Sequence, residues 1–192
     1  MLAYEKLEEL IVTLKLKPGS IHSEINLQQL IGIGRTPVRE ALQRLTTEGL
    51  VEILPRRGIK ITKVGYEGGF LRVEIARTLL ALMARTSAVR STSEQKKAFA
   101  NIATMFDEIT QSPDADLFMQ TDKKLLNLLC EACHNEHVCR AIGLLVGEHR
   151  RIGYIHFKKH DDIAVYARMR ARCDNALTIV DKETQSTNIH LR

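Results

Sequence analysis

Apolar residues recur along this chain mostly at helical spacing, in segments separated by short turns marked with glycine or proline. Tyr4, Leu7, Leu10, Ile11 and Leu14 fall on one helical face, which predicts a first helix over residues 2–15. Pro18-Gly19 ends it. Ser23 is placed to cap a second helix whose apolar side is Leu27, Leu30 and Ile31. Gly32-Ile33-Gly34 then makes a tight turn, with glycine where the backbone must take positive φ between two packed helices. In the third helix Thr36 suits the N-cap and Pro37 the first helical position. Val38, Ala41, Leu42 and Leu45 form its buried stripe, and Thr36, Arg39 and Gln43 lie opposite. Glu40 and Arg44 are spaced as an i,i+4 pair. Gly49-Leu50 reads as a left-handed C-cap with its apolar contact. Residues 50–54 and 59–64 predict two strands joined at Pro55-Arg56-Arg57-Gly58.

The pattern changes after this hairpin. Three glycines between Gly65 and Gly69 predict a linker, and from Phe70 onward every periodic segment is helical. Leu79, Leu80, Leu82 and Met83 mark one helix; Phe99, Ile102, Ala103 and Phe106 mark the next. Residues 117–132, 136–156 and 161–181 follow as three more. The fold class expected is therefore mainly α: a winged helix-turn-helix over 1–64, a linker over 65–69 and an all-α bundle over 70–192.

Composition sharpens this picture in two ways. With no Trp and 5% aromatics, the core must be largely aliphatic, as suits helices. The net charge of +5 is uneven: residues 35–63 carry seven Lys/Arg against three Asp/Glu, while residues 1–34 carry three against four. Positive charge thus gathers around the third helix and the hairpin, the footprint of a nucleic-acid surface. No apolar run reaches the ~20 residues of a membrane span, and no secretory leader is recognised at the start, so a cytoplasmic location is expected. Cys130, Cys133, Cys139 and Cys173 are then expected as reduced thiols.

A helix with one buried face and an arginine-bearing opposite face fits the major groove, the groove that admits a helix and distinguishes all base pairs. Arg35, Thr36, Arg39 and Gln43 are the candidate readers, since the guanidinium fork matches both acceptors of a guanine edge. Arg44 suits either an ion pair or a phosphate contact, and Arg56, Arg57 and Gly58 place a wing tip near phosphates or the minor groove. Cys130-Glu131-Ala132-Cys133-His134 spells a haem-attachment pattern, and His137 and Cys139 extend it toward a metal cluster. On one continuous helix, however, Cys130, Cys133, His134 and His137 share a face and do not surround an ion, so packing as small apolar groups is the favoured reading. No nucleophile–base pair, phosphate loop or complete metal set marks an enzyme.

The ordered pieces Leu16-Lys17-Pro18-Gly19-Ser20, Arg35-Thr36-Pro37-Val38-Arg39-Glu40-Ala41-Leu42, Glu48-Gly49-Leu50-Val51 and Arg56-Arg57-Gly58 resemble the GntR family of bacterial transcription regulators. Beyond the hairpin, Asp122 and the segment from Leu128 to Asn135 resemble the FCD domain of its FadR subgroup. The resemblance implies a homodimer on a near-palindromic double-stranded operator, a repressor's role, and a helical domain that senses a small carboxylate. Two positions depart from the family: Gly34 stands where a hydroxyl residue is usual, and Ile25 where a DNA-touching arginine often lies. The FCD resemblance also implies a divalent metal, zinc or similar, held by one Asp and three His. Asp122 matches the Asp and His190 the last His, but position 126 is Leu and the region of the second His holds Arg168, Met169 and Arg170. Two ligands hold a divalent ion poorly. A guanidinium, from Arg170 or Arg168, is then the expected substitute for the metal in gripping an anion, with Arg72 and Asn135 as further effector candidates. The rival readings are a degenerate domain that senses nothing and, more remotely, an enzyme built on the bundle.

Overall fold

The computed structural model describes residues 2–64 and 66–179, and of 66–70 and 175–179 the backbone alone. The chain runs α1 (Leu2–Val12), β1 (Ile21–His22), α2 (Glu24–Ile31), α3 (Arg35–Thr47), β2 (Val51–Leu54), β3 (Gly58–Ile61), α4 (Tyr66–Arg90), α5 (Ser93–Gln111), α6 (Ala115–Ala132), α7 (Glu136–Lys159) and α8 (Ile163–Ile179). It gathers into two compact units. One comprises the residues up to Ala76 together with Ala141–Ile155; the other comprises Arg77–Arg140 and the chain from His156 on.

In the first unit, α1, α2 and α3 enclose Leu7, Ile11, Leu27, Val38, Leu42 and Leu45, and the sheet adds Leu50, Val51, Ile59 and Ile61. Each such side chain contributes about 1.5–3 kcal/mol on full burial. The first helix is shorter than the spacing predicts. Leu14 takes φ 60, and the Leu16 N–H reaches the Leu10 carbonyl at 2.9 Å, turning the chain back under α1. Ser23 caps α2 by accepting from the Asn26 N–H, and Gly32 ends it at φ 67. The third helix starts earlier than expected: Gly34 is the N-cap, without a side-chain bond, and Arg35 the first helical residue. Pro37 is therefore third in the helix, still among the N–H groups that have no helical acceptor, so its missing donor loses nothing. At the other end Gly49, at φ 74, donates to the Thr46 carbonyl, and buried Leu50 donates to that of Leu45. This is the left-handed cap that Gly49-Leu50 predicts.

The sheet has three strands in the order β1-β3-β2, all antiparallel, with Ile21 opposite Lys60 and Val51 opposite Ile61. The third strand, β1, is only two residues long and carries no alternation that marks it in the sequence. It explains Gly58: a Cβ there would lie 2.6 Å from the His22 carbonyl oxygen, and φ is +113°.

The middle of α7 packs into this same unit. Arg150, with its side chain 2% exposed, pairs with Glu8 and lies 3.3 Å from Glu9. Arg151 donates from Nη1 to the Thr62 carbonyl at 2.9 Å and from Nη2 to its hydroxyl at 3.1 Å. A Cβ on Gly147 would stand 2.6 Å from Leu50 Cδ1, so the helix approaches the sheet closely there. The stretch expected as linker is helical from Tyr66 onward.

In the second unit, α5 packs along α8 and against α6. Its core holds Phe99, Ile102, Phe106, Ile109, Met119 and Leu125. Phe106, Phe118, Phe157 and Tyr166 make a chain of edge-to-face contacts with centroids 5.4, 4.8 and 5.3 Å apart, a geometry that adds to simple burial. Thr92 and Gln95 form a capping box on α5.

The cysteine segment differs from its expectation. The helix ends at Ala132, Cys133 is its C-cap, His134 turns at φ 48, and α7 starts at Glu136. Cys130, Cys133, His134 and His137 therefore do not lie on one straight face. The turn instead brings Cys139 Sγ within 3.6 Å of Cys133 Sγ, and all four cysteines are free. Burial pushes the Cys130 and Cys139 thiols above the ordinary thiol range, which keeps them protonated and small.

Candidate nucleic-acid interface and ligand site

The burial of Val38, Ala41, Leu42 and Leu45 turns the rest of α3 outward, and Arg35, Thr36, Arg39, Glu40 and Gln43 are exposed. Arg35 and Arg39 lean onto one carboxylate: their Nε atoms lie 3.4 and 3.6 Å from Glu24 at the start of α2. Their side chains remain 71% and 60% exposed, so the pairs are weak and easily exchanged for another anion. Sequence spacing alone did not indicate Glu24, because the pairing joins two helices.

Arg44 is held differently. Its Nε donates to Glu48 at 2.9 Å, and its guanidinium lies over the Tyr4 ring at 3.7 Å. The partner is Glu48, one turn on, rather than Glu40 at the same i,i+4 spacing one turn back. Glu48 also accepts from the Tyr4 hydroxyl at 2.8 Å. Burial raises its carboxyl above the usual range, while Tyr4 and Arg44 oppose that shift. Arg56 and Arg57 stand exposed at the hairpin tip, Arg56 at φ 59. Ile25, in the first turn of α2, is 64% exposed.

In the second unit the polar residues of α6 and α8 meet. Arg170 Nη2 donates to Asp122 Oδ1 at 2.7 Å, whereas Arg168 is exposed. One turn on from Arg170, Asp174 is 1% exposed. Its Oδ2 has no hydrogen-bond partner. Burial pushes the Asp174 carboxyl up to about 7; Arg170 pulls it down and Asp122 raises it further. Asp174 was absent from the sequence-level candidates. An aspartate at helical spacing i,i+4 from Arg170 was its only signal, and that spacing more commonly marks a surface pair.

The other effector candidates, Arg72 and Asn135, make contacts within the fold. Arg72 pairs with Glu148 within the first unit. Asn135 caps α7 by accepting from the Val138 N–H at 3.3 Å. A metal does not fit the donors present at Asp122, where the cationic partner is the Arg170 guanidinium and position 126 is Leu. Among the described residues no group of three or more His, Cys, Asp or Glu is arranged to hold a metal ion. His190 lies outside the described residues.

Three helices, a three-stranded wing and an all-helical second unit define a class, the two-part winged-helix regulators. Residues 2–61 match the model of the bacterial regulatory proteins of the gntR family, and residues 73–180 match the FCD domain. The chain belongs to the GntR family, in the group that carries an FCD domain. It is 44% identical over 61 residues to an uncharacterized HTH-type transcriptional regulator in an unstable DNA locus of Streptomyces ambofaciens, a match covering 32% of this chain and 26% of that relative. The chain thus spans about a quarter of that relative's length. It is 26% identical over 190 residues to the fatty acid metabolism regulator protein of Proteus mirabilis, covering 90% of this chain and 80% of the relative. Among solved structures, E. coli McbR/YncC superposes with a TM-score of 0.72 at 16% identity, covering 96% of this chain and 94% of that one, a likeness of fold. Among the described residues no helix is long and apolar enough to cross a membrane.

Proposed function

We propose that this chain is a cytoplasmic transcription repressor that binds a near-palindromic DNA operator as a homodimer and responds to a small carboxylate effector. The observation that carries the DNA-binding part is α3. Its apolar face is fully committed to the core, while Arg35, Thr36, Arg39 and Gln43 project outward beside a wing tipped by Arg56 and Arg57. Such a helix enters the major groove and the wing touches phosphates. Two-fold symmetry then sets the half-sites about 34 Å, one turn, or a multiple of it, apart. The effector part rests on the FCD match and on Arg170, whose fork keeps N–H donors for an anion beside its bond to Asp122. Selection of binding sites from random duplex DNA tests the first part. The expected result is a symmetric motif bound with a steep salt dependence, and a flat selection overturns the reading. Melting in the presence of small carboxylates tests the second, because a ligand that binds only the folded state raises Tm.

A further inference from the structure

The cluster between α6 and α8 is not built for an anion alone. It holds two carboxylates, Asp122 and Asp174, and one guanidinium, that of Arg170. Arg170 Nη2 is taken up by Asp122 Oδ1 at 2.7 Å, which leaves Asp174 Oδ2 buried and unpartnered. A buried carboxylate oxygen without a donor is unfavourable, and a ligand that supplies the donor relieves it. The Arg170 side chain is 32% exposed, so its remaining N–H groups are within reach of a second carboxylate. A simple carboxylate ligand would satisfy Arg170 but would add a third negative charge beside two acids. A simple amine would satisfy Asp174 and leave the open side of Arg170 unused. A molecule with both groups on neighbouring atoms satisfies each and adds no net charge.

We propose that this cluster binds an amino acid, its carboxylate on Arg170 and its ammonium on Asp174 and Asp122. This rests on the effector-sensing reading above and narrows the class of effector from carboxylates at large to zwitterions. The charge arrangement makes a second demand. The ammonium must sit near Asp174, the buried end of the cluster, and the side chain of the amino acid must point away from it.

The test is calorimetry and thermal melting of the full chain with the twenty L-amino acids. Each amino acid that binds is then compared with the carboxylic acid lacking its amine and the amine lacking its carboxylate. The expected result is at least one amino acid that raises Tm and binds ten-fold or more tightly than either counterpart. In Asp174→Asn, which keeps the shape of the side chain, that amino acid should fall to the affinity of its carboxylate counterpart, whose own binding is unchanged. In Arg170→Gln both should be lost. If the tightest ligand is a plain carboxylate, indifferent to Asp174→Asn, the zwitterion proposal is overturned while the carboxylate-sensing reading stands. If no amino acid and no carboxylate shifts Tm, both fall, and Asp174 is then a protonated core residue.

Discussion

Arg39 and Arg57 are both exposed arginines on the basic face, but their settings assign them different work. Arg39 stands on α3, the helix proposed to enter the groove; Arg57 stands at the hairpin tip. Arg39→Ala should lose about 1–3 kcal/mol on the preferred operator and relax selectivity at one base pair. Arg57→Ala should weaken all duplexes alike and lower the slope of log K against log salt by about one. Site selection and salt titrations of the two variants check this, and interchanged behaviour would reverse the assignment. Glu24 lies 3.4 Å from Arg35 and 3.6 Å from Arg39, so it would compete with DNA for both proposed readers. Exposed pairs of this kind are worth about 0–1 kcal/mol, so Glu24→Gln should tighten DNA binding by up to about five-fold. Unchanged or weaker binding would mean that Glu24 positions the arginines. Asp174 supplies a pH signature. Its carboxyl is pushed up to about 7 in the fold, against about 3.9 for an unfolded aspartate, so the native state binds more protons than the unfolded state between these values. Its stabilising contribution is complete below pH 4 and is lost as pH rises to 7, by up to roughly 4 kcal/mol. Melting curves from pH 4 to 8 should show this decline in the wild type and a flatter profile in Asp174→Asn. Identical profiles would refute the shift.

At the level of elements, α3 was largely legible in the chain. Its buried stripe, its outward arginines and its Gly49-Leu50 cap follow from helical spacing and from the conformational freedom of glycine. Its start was misplaced by two residues because Thr36 is a better capping residue than Gly34, and the turn geometry overrode that preference. Helix α7 shows the opposite case. Nothing local distinguishes Arg150 and Arg151 from a basic helix surface, yet both are buried in the first unit against α1 and Thr62. Removing one partner of a buried ion pair strands the other, at about 3–5 kcal/mol. Arg150→Met should therefore lower stability by that amount, and Glu8→Gln in the same chain should recover part of it. Denaturant midpoints of the single and double variants measure the coupling, and additive losses would show that the pair is incidental.

For the whole molecule, the basic residues gathered over 35–63 and the proposed homodimer on paired half-sites lead to one further expectation. Binding to a full symmetric operator should exceed binding to a single half-site by about two orders of magnitude or more, through effective concentration. Half-turn insertions between the half-sites should abolish the gain, and one-turn insertions should restore part of it. Equal affinity for half and full sites would leave the protein a monomer on DNA.

The chain by itself determined most of its helices, the outward face of α3 and the succession of a winged helix by a helical region, because each is written in local spacing, capping residues and charge density. Only the tertiary structure decided which charges are partnered. Glu24 reaches Arg35 and Arg39, Arg44 turns to Glu48 and Tyr4, Arg150 goes to Glu8, and Arg170 takes Asp122 while Asp174 is left with an open oxygen. Most of these pairings join residues far apart in sequence, and their energies depend on burial and on distances of a few ångströms. Neither quantity is set by the residues' order along the chain. That is why the helix proposed to read DNA could be recognised from spacing, while the cluster proposed to read the signal emerged only from the fold.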